Sequence, residues 1–217
     1  FQPMQNLPEA HNFMKVTGFL IIFILMAMNH PLKSKPPSTL NLDTVVLGGG
    51  CFWCIEAVFE NLEGVVSVTS GYSGGTNQNP DYESVCSGTT GHAEVCEIVY
   101  DPSRIDFTTL LEVFFNSHDP TTLNRQGNDI GTQYRSVIFY TGLKQFEASR
   151  EYIQRLATQV VFSAPICTQL APLKHFYKAE PYHQNYYKLN SQQGYCRVII
   201  SPKLKALQKK FPTIYKK

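Results

Sequence analysis

The chain has 217 residues, 43% hydrophobic and 12% aromatic, which is apolar material for one well-buried domain and too little chain for a long multidomain protein. Charged residues make up only 17% and the net charge is +2, so no strong field attracts polyanions and nucleic-acid binding is disfavoured. Lys15, Lys33 and Lys35 against Glu9 carry that whole excess, and residues 41–217 are formally neutral.

In chain order, the first feature is VTGFLIIFILMAM, Val16 to Met28, a 13-residue uncharged stretch. A free-standing membrane helix needs about 20 residues, so the stretch fits the hydrophobic centre of a secretory signal, with Met14 and Lys15 as start and charged region. Pro31, Pro36 and Pro37 would cut it off from the domain if it were a core helix. No clear small-x-small cleavage site follows, which leaves a retained membrane anchor open. Residues 1–40 are therefore expected to be a signal or anchor with a Pro-rich linker, and residues 41–217 the functional domain. The expected location is exported or membrane-anchored, periplasmic or secreted, with a cytoplasmic protein as the alternative.

After residue 41 the pattern is mixed α/β, without repeats or a linker long enough to separate domains. Thr44 to Leu47 is a β-branched run that ends in Gly48-Gly49-Gly50. From Cys51, the spacing of Phe52, Ile55, Val58, Phe59 and Leu62 predicts a helix with one buried face, stopped at Gly64. Strands are predicted at Val65–Thr69, His92–Tyr100 and Ser136–Tyr140, and helices at Phe107–Asn116 and Leu143–Ala157. The polar stretch between Ser117 and Tyr134 is longer than a simple connection, and such loops are usually functional or disordered. From Leu170 on, the chain reads as irregular.

The sharpest local signal is GGGCFWC, Gly48 to Cys54. A glycine run from strand into helix leaves free N–H groups at the helix start, and a cysteine there feels the positive end of the helix dipole. The thiolate of Cys51 is expected to be favoured, which makes it a candidate nucleophile. Cys54, one turn on, lies within reach as a redox partner. A zinc site is disfavoured, because Cys86, Cys96, Cys167 and Cys196 supply no second pair at ligand spacing. Structural disulfides in an exported chain and a thioredoxin-like oxidoreductase stay open on this motif alone.

Four segments in order, GGGCFWCIEAVFENLEGV, GYSGGTNQNPDYESVCSGTTGHAEV, HDPTTLNRQGNDIGTQYRSVIFY and AEPYHQNYY, resemble the peptide methionine sulfoxide reductases of the A class. The resemblance runs from about Thr44 to Lys203. It implies a two-layer α/β (α+β) sandwich with a ferredoxin-like core and long coil segments. The implied activity is reduction of methionine S-sulfoxide, free or in proteins, back to methionine, which repairs oxidised proteins. No metal or organic cofactor is implied, only an external dithiol such as thioredoxin. By the same resemblance Cys51 is the nucleophile, and Glu94 of GHAE is the acid that protonates the sulfoxide oxygen. Tyr82 and Tyr134 are hydroxyl donors to that oxygen, Phe52 and Trp53 form the aromatic wall for the substrate methyl group, and Asp129 shapes the site. Attack leaves a sulfenic acid on Cys51, and Cys54, then Cys196, are the implied recycling thiols.

From the residues alone several of these have plainer explanations. Glu94 lies in a strand, where an exposed carboxylate is ordinary, and Phe52 fits the apolar stripe of its helix. Trp53 falls off that stripe and is expected in a pocket. His183 receives no catalytic role, Cys96 reads as a small buried hydrophobe, and Cys86 and Cys167 receive no role.

Overall fold

The computed structural model describes residues 41–216. The signal or anchor stretch expected at Val16 to Met28 lies outside the described residues.

Alternation along three strands sorts their side chains into two layers. In β1 (Asp43–Gly48), Val45 and Leu47 enter the main core and Val46 points to the other face. In β3 (Ala93–Tyr100), Cys96, Ile98 and Tyr100 join the main core while Ala93 and Val95 join Val46. The same split places Glu94 on the main-core side, because residues two apart on a strand share a face. In β6 (Val137–Tyr140), Ile138 faces the main core, and Val137 and Phe139 face the smaller cluster.

The main face is covered by helices α1 (Phe52–Phe59), α3 (Phe107–Ser117) and α4 (Leu143–Thr158), which contribute Phe59, Phe114 and Tyr152 among others. Between them run β2 (Val65–Ser73), the short α2 (Tyr82–Cys86) and a two-residue hairpin of β4 (Arg125–Gln126) and β5 (Asp129–Ile130). A 3-10 turn at Thr132–Tyr134 leads into β6. After α4 come β7 (Gln169–Pro172), β8 (Phe176–Lys178), a 3-10 turn at Pro181–His183, α5 (Tyr186–Asn190), a π-helical turn at Cys196–Ile200, and α6 (Ser201–Lys210).

The six-stranded sheet has the order β7-β6-β1-β3-β2-β8, antiparallel throughout except for the β6–β7 edge pair. Its centre, β6-β1-β3-β2 with α1 after β1 and α3 after β3, is the βαββαβ arrangement of a ferredoxin-like core. The fold class expected from the resemblance is the one observed.

The predicted strands and helices are present, with boundary shifts of one residue at most places and an extension of the second strand to Ser73. The helix begun near Cys51 ends earlier, at Phe59, and Leu62 instead bridges to Tyr215. The expectation of an irregular tail after Leu170 is overturned. β7 and β8 are edge strands of four and three residues, too short to show a period, and the apolar anchors Ile200, Leu204 and Leu207 of the last helix are scattered among lysines. The Ser117–Tyr134 stretch is also ordered, built around the β4–β5 hairpin.

Side chains hold this tail to the sheet and to α1. Gln184 accepts from the Ser70 N–H at 3.1 Å and donates back to the carbonyls of Ser70 and Ala179 at 3.0 and 2.9 Å. Glu56 on α1, 1% exposed, accepts the backbone N–H groups of Asn185 and Tyr186 at 2.9 and 3.0 Å. Asn185 adopts φ +53°, a left-handed conformation that asparagine tolerates better than most residues. Glu56→Ala removes both acceptors at once. We expect it to cost about 2–3 kcal/mol, seen as a lower urea midpoint with an unchanged denaturant slope.

Candidate active site

The turn from β1 into α1 is shaped by glycines. Gly50 has φ +98°, and a Cβ there would come within 2.6 Å of the Gln126 side chain. At Gly48 a Cβ would come within 2.8 Å of the Glu94 carbonyl oxygen, so only glycine lets β1 end this close to β3. The turn delivers Cys51 as the N-cap of α1, half-buried, with its carbonyl accepting the Cys54 N–H at 3.0 Å. Cys54 is buried at 3% exposure, and each of the two thiols shifts the titration of the other.

The expectation that the helix start favours the Cys51 thiolate does not hold for the resting pair. The neighbouring Cys54 thiol first, and then burial, push the Cys51 thiol well above the ordinary range, against a favourable Trp53 N–H. Cys54 instead is drawn down to about 7, first by the neighbouring Cys51 thiol and then by Lys203 and the Tyr195 hydroxyl, while burial and Asp129 oppose. The physical reason is that α1 spans only eight residues, and the neighbouring Cys54 thiol together with desolvation outweighs its weak dipole. The two thiols titrate as a pair, and the pair loses its first proton near neutral pH.

Glu94 meets this turn from the sheet. It is 2% exposed, and its Oε2 accepts the Phe52 N–H at 3.0 Å. Burial raises its pKa to about 8 despite that N–H, with the charges of Asp129 and Cys54 adding to the rise, so it is largely protonated at pH 7. Strand alternation and the Tyr72↔Glu94 register explain why a strand carboxylate is buried rather than exposed. Tyr82 and Tyr134 are both held far above the usual phenol range, burial first, with Glu94 a further cause for each. Both hydroxyls remain protonated donors.

Aromatic rings form the next wall. Phe52 is buried, with ring centroids 4.9 Å from His183 and 5.9 Å from Tyr72. Trp53 is half-buried and stacks on Tyr186 at 3.6 Å with planes 5° apart. Its indole N–H donates to His183 Nδ1 at 3.1 Å. An indole N–H only donates, so Nδ1 must be the bare nitrogen and the proton sits on Nε2, facing Glu180 at 3.9 Å. Burial depresses the His183 pKa, in keeping with a neutral ring. The Tyr82 ring packs on the same imidazole at 4.6 Å, and Glu180 accepts from the Tyr72 hydroxyl and the Tyr82 N–H, both at 2.8 Å.

A cavity of about 350 Å³ opens beside the cysteines, lined by Cys51, Cys54, Asp129, Tyr195, Ile199 and Lys203 among others. The Tyr195 hydroxyl donates to Asp129 Oδ2 at 2.9 Å and lies 3.7 Å from Cys54 Sγ. Among the residues picked from sequence, Cys51, Cys54 and Asp129 line this cavity, while Phe52, Trp53, Tyr82, Tyr134 and Glu94 gather on the other side of Cys51. Cys196 is fully buried in the π-helical turn and does not reach the cavity. Burial and the Cys54 charge raise its pKa. Cys96 donates weakly to the Phe52 carbonyl at 3.4 Å from a fully buried position, Cys167 to the Pro120 carbonyl at 3.2 Å, and Cys86 lies beside Tyr82. All six cysteines are free thiols, and no group of three or more His, Cys, Asp or Glu among the described residues is placed to hold a metal ion. Sequence reasoning missed Glu180, Tyr186, Tyr195 and Lys203. Nothing in their local pattern marks them; only the fold brings them to the site.

Comparison with known proteins bears directly on this arrangement. Residues 43–214 match the family model described as peptide methionine sulfoxide reductase. The chain belongs to that family. Its relatives include the reductase MsrA of Chromobacterium violaceum, 55% identical over 170 residues, which are 78% of this chain and 97% of that one. MsrA of Saccharolobus solfataricus is 50% identical over 171 residues, covering 79% and 96%. Among solved structures, reduced Mxr1 of Saccharomyces cerevisiae aligns with a TM-score of 0.66 and 33% identity over 71% of this chain and 89% of that one. The methionine sulfoxide reductase A of Corynebacterium diphtheriae aligns at 0.64 and 37%, covering 77% and 81%. The activity is thus reduction of methionine sulfoxide, and the thioredoxin-like reading of the CxxC pair falls.

In this reductase His183 accepts the Trp53 indole N–H and so fixes the orientation of that ring. His183→Ala leaves the indole N–H without its acceptor, a loss of about 1–2 kcal/mol or roughly five- to thirtyfold in kcat/KM. Most of it is expected in KM, which initial-rate kinetics on a methionine sulfoxide peptide will separate from kcat.

Proposed function

We propose that Cys51 carries out the reduction with Glu94 as its acid, and that Cys54 closes the first recycling disulfide. The carrying observation is the placement of Glu94, buried, protonated near neutral pH and hydrogen-bonded to the residue that follows Cys51. In the first step the Cys51 proton moves to Cys54, and the Cys51 thiolate attacks the sulfoxide sulfur. Glu94 gives a proton to the oxygen as its negative charge grows, and the Tyr82 and Tyr134 hydroxyls stabilise that charge by a few kcal/mol at most per donor. Phe52 and Trp53 receive the methyl group, which supports selection of the S epimer, and Asp129 shapes the cavity side. Methionine leaves and the oxygen stays on Cys51 as a sulfenic acid.

Cys54 then attacks the sulfenic sulfur. The S–S bond forms, the S–O bond breaks, and the leaving hydroxide takes up a proton to become water. A Cys51–Cys54 disulfide at the edge of an open cavity is suited to exchange with an external dithiol, for which thioredoxin is the proposed donor. Exchange onward to Cys196 follows when the π-helical turn opens. The apolar stretch from Val16 to Met28 supports action outside the cytoplasm, exported or membrane-anchored.

Cys51→Ser is expected to abolish reduction of the S epimer with dithiothreitol as reductant, with no effect on the R epimer because neither form acts on it. Activity retained in this variant overturns the assignment. Without reductant, Cys54→Ser should still release about one methionine per enzyme, since the sulfenic acid forms before recycling. A variant that releases none places Cys54 in the chemical step.

The acid form of Glu94 is the active one, so single-turnover reduction should fall as pH rises through about 8. It should also fall as the thiol pair becomes fully protonated below about 7, giving a bell between the two. Glu94→Gln should slow this step by about 10²–10⁴ and remove the alkaline limb, read by quenched-flow release of methionine.

A further inference from the structure

We propose that Lys203 is a positioning residue for recycling, holding the negative charge on Cys54 while Cys54 attacks the oxidised Cys51. The proposal rests on the reading of Cys54 as the recycling thiol. Lys203 stands in the first turn of α6, a helix seated on the core by Leu204 and Leu207. It is half-buried and lines the same cavity as Cys51 and Cys54. Among the described residues the ion pairs within 4.0 Å join Arg104 to Glu63 and His183 to Glu180, so no carboxylate at contact distance takes up the Lys203 charge.

The other groups that face Cys54 cannot serve. They are Cys51 at the start of α1, Glu94 on β3, Asp129 on β5, and Tyr195 and Cys196 ahead of α6. Glu94 and Asp129 are acids and Cys196 is a buried thiol, so none favours a thiolate. Tyr195 has a single proton, and at 2.9 Å from Asp129 against 3.7 Å from Cys54 that proton goes to the carboxylate. Before turnover, the neighbouring Cys51 thiol is the largest influence holding Cys54 acidic, with Lys203 the first charge to act in the same direction. Oxidation of Cys51 to sulfenic acid consumes that thiol at the moment when Cys54 must be a thiolate. Lys203 is the cation that remains. The step balances: Cys54 gives the proton it took in the first step to solvent in the open cavity, its sulfur is oxidised as it bonds to Cys51, Cys51 sulfur is reduced, and the leaving hydroxide takes up a proton to become water.

The test is single turnover of the full-length protein with a methionine sulfoxide peptide and no reductant. Disulfide formation is followed against pH by loss of dimedone-reactive Cys51 and by mass spectrometry of the Cys51–Cys54 bridge. In Lys203→Met and Lys203→Gln the midpoint of the disulfide-forming step should rise by about one pH unit, and its rate at pH 7 should fall roughly five- to tenfold. Lys203→Arg should keep the wild-type profile, and release of one methionine per enzyme reports that the site is intact in each variant. If both uncharged variants keep the wild-type profile, the assignment of Lys203 falls while that of Cys54 stands. If the oxidised wild type contains no Cys51–Cys54 bridge, the reading of Cys54 falls and this inference falls with it.

Discussion

The hydrogen bond from the Phe52 N–H to Glu94, 3.0 Å long, ties the first turn of α1 to the middle of the sheet, and the rest of the site depends on it. It requires β1 and β3 to close up at the point where the chain turns, which is why Gly48 stands against the Glu94 carbonyl. It also requires Glu94 to point to the helix-covered face, which strand alternation dictates once Cys96 and Ile98 are in the core. The same contact fixes Cys51 one residue before the tethered N–H. The proposed nucleophile and acid are therefore set against each other by backbone geometry.

Electrostatics divides the site into two halves around Cys51. On the substrate side are a raised carboxyl, two raised phenols and a neutral imidazole, all uncharged at pH 7 and all but the imidazole able to give a proton or a hydrogen bond to a developing oxyanion. Water is thinned there by Phe52, Trp53 and Tyr186. On the cavity side are Asp129, Tyr195 and Lys203, a polar and more open setting that suits thiol exchange. Cys51 is half-buried, and in the proposed cycle it would reduce substrate against the first group of residues and be reduced in turn against the second.

How much of this the sequence disclosed depends on how local each cause is. Cys51 and Cys54 were legible because a glycine run, a helix start and a one-turn spacing all lie within seven residues. The central strands and α1, α3 and α4 were legible from period alone. Glu94 was legible only through the resemblance, since its burial follows from the pairing of β3 with β1 and β2, which no window of HAEVCEIVY contains. The acidity of the thiol pair was misjudged for the same reason: the helix start is local, but Glu94 and Lys203 arrive from strands and helices far along the chain. Tyr195 and Lys203 had no signal of their own, and the short edge strands β7 and β8 owe their form to neighbours that were already folded.

The position of Cys196 sets an order on the recycling thiols. Cys54 lies one helical turn from Cys51 and lines the same cavity, whereas Cys196 is fully buried and does not line it. A disulfide demands Cβ atoms about 3.5–4.5 Å apart, so Cys196 can take over only after its turn moves. That turn is π-helical, a geometry uncommon in regular helices and frequent at functional sites, and its outer residues Val198 and Ile199 are 70% and 38% exposed. Opening the turn must draw Cys196 and Ile200 out of the core, while Leu204 and Leu207 keep the helix beyond it anchored. The opening would also carry Tyr195 away from Asp129 and Cys54, so the cavity that holds the first disulfide would widen as the second thiol arrives. Fast closure on Cys54 and slower exchange to Cys196 then follow from one fact of packing, the difference in placement between a thiol that lines the cavity and a fully buried one that does not.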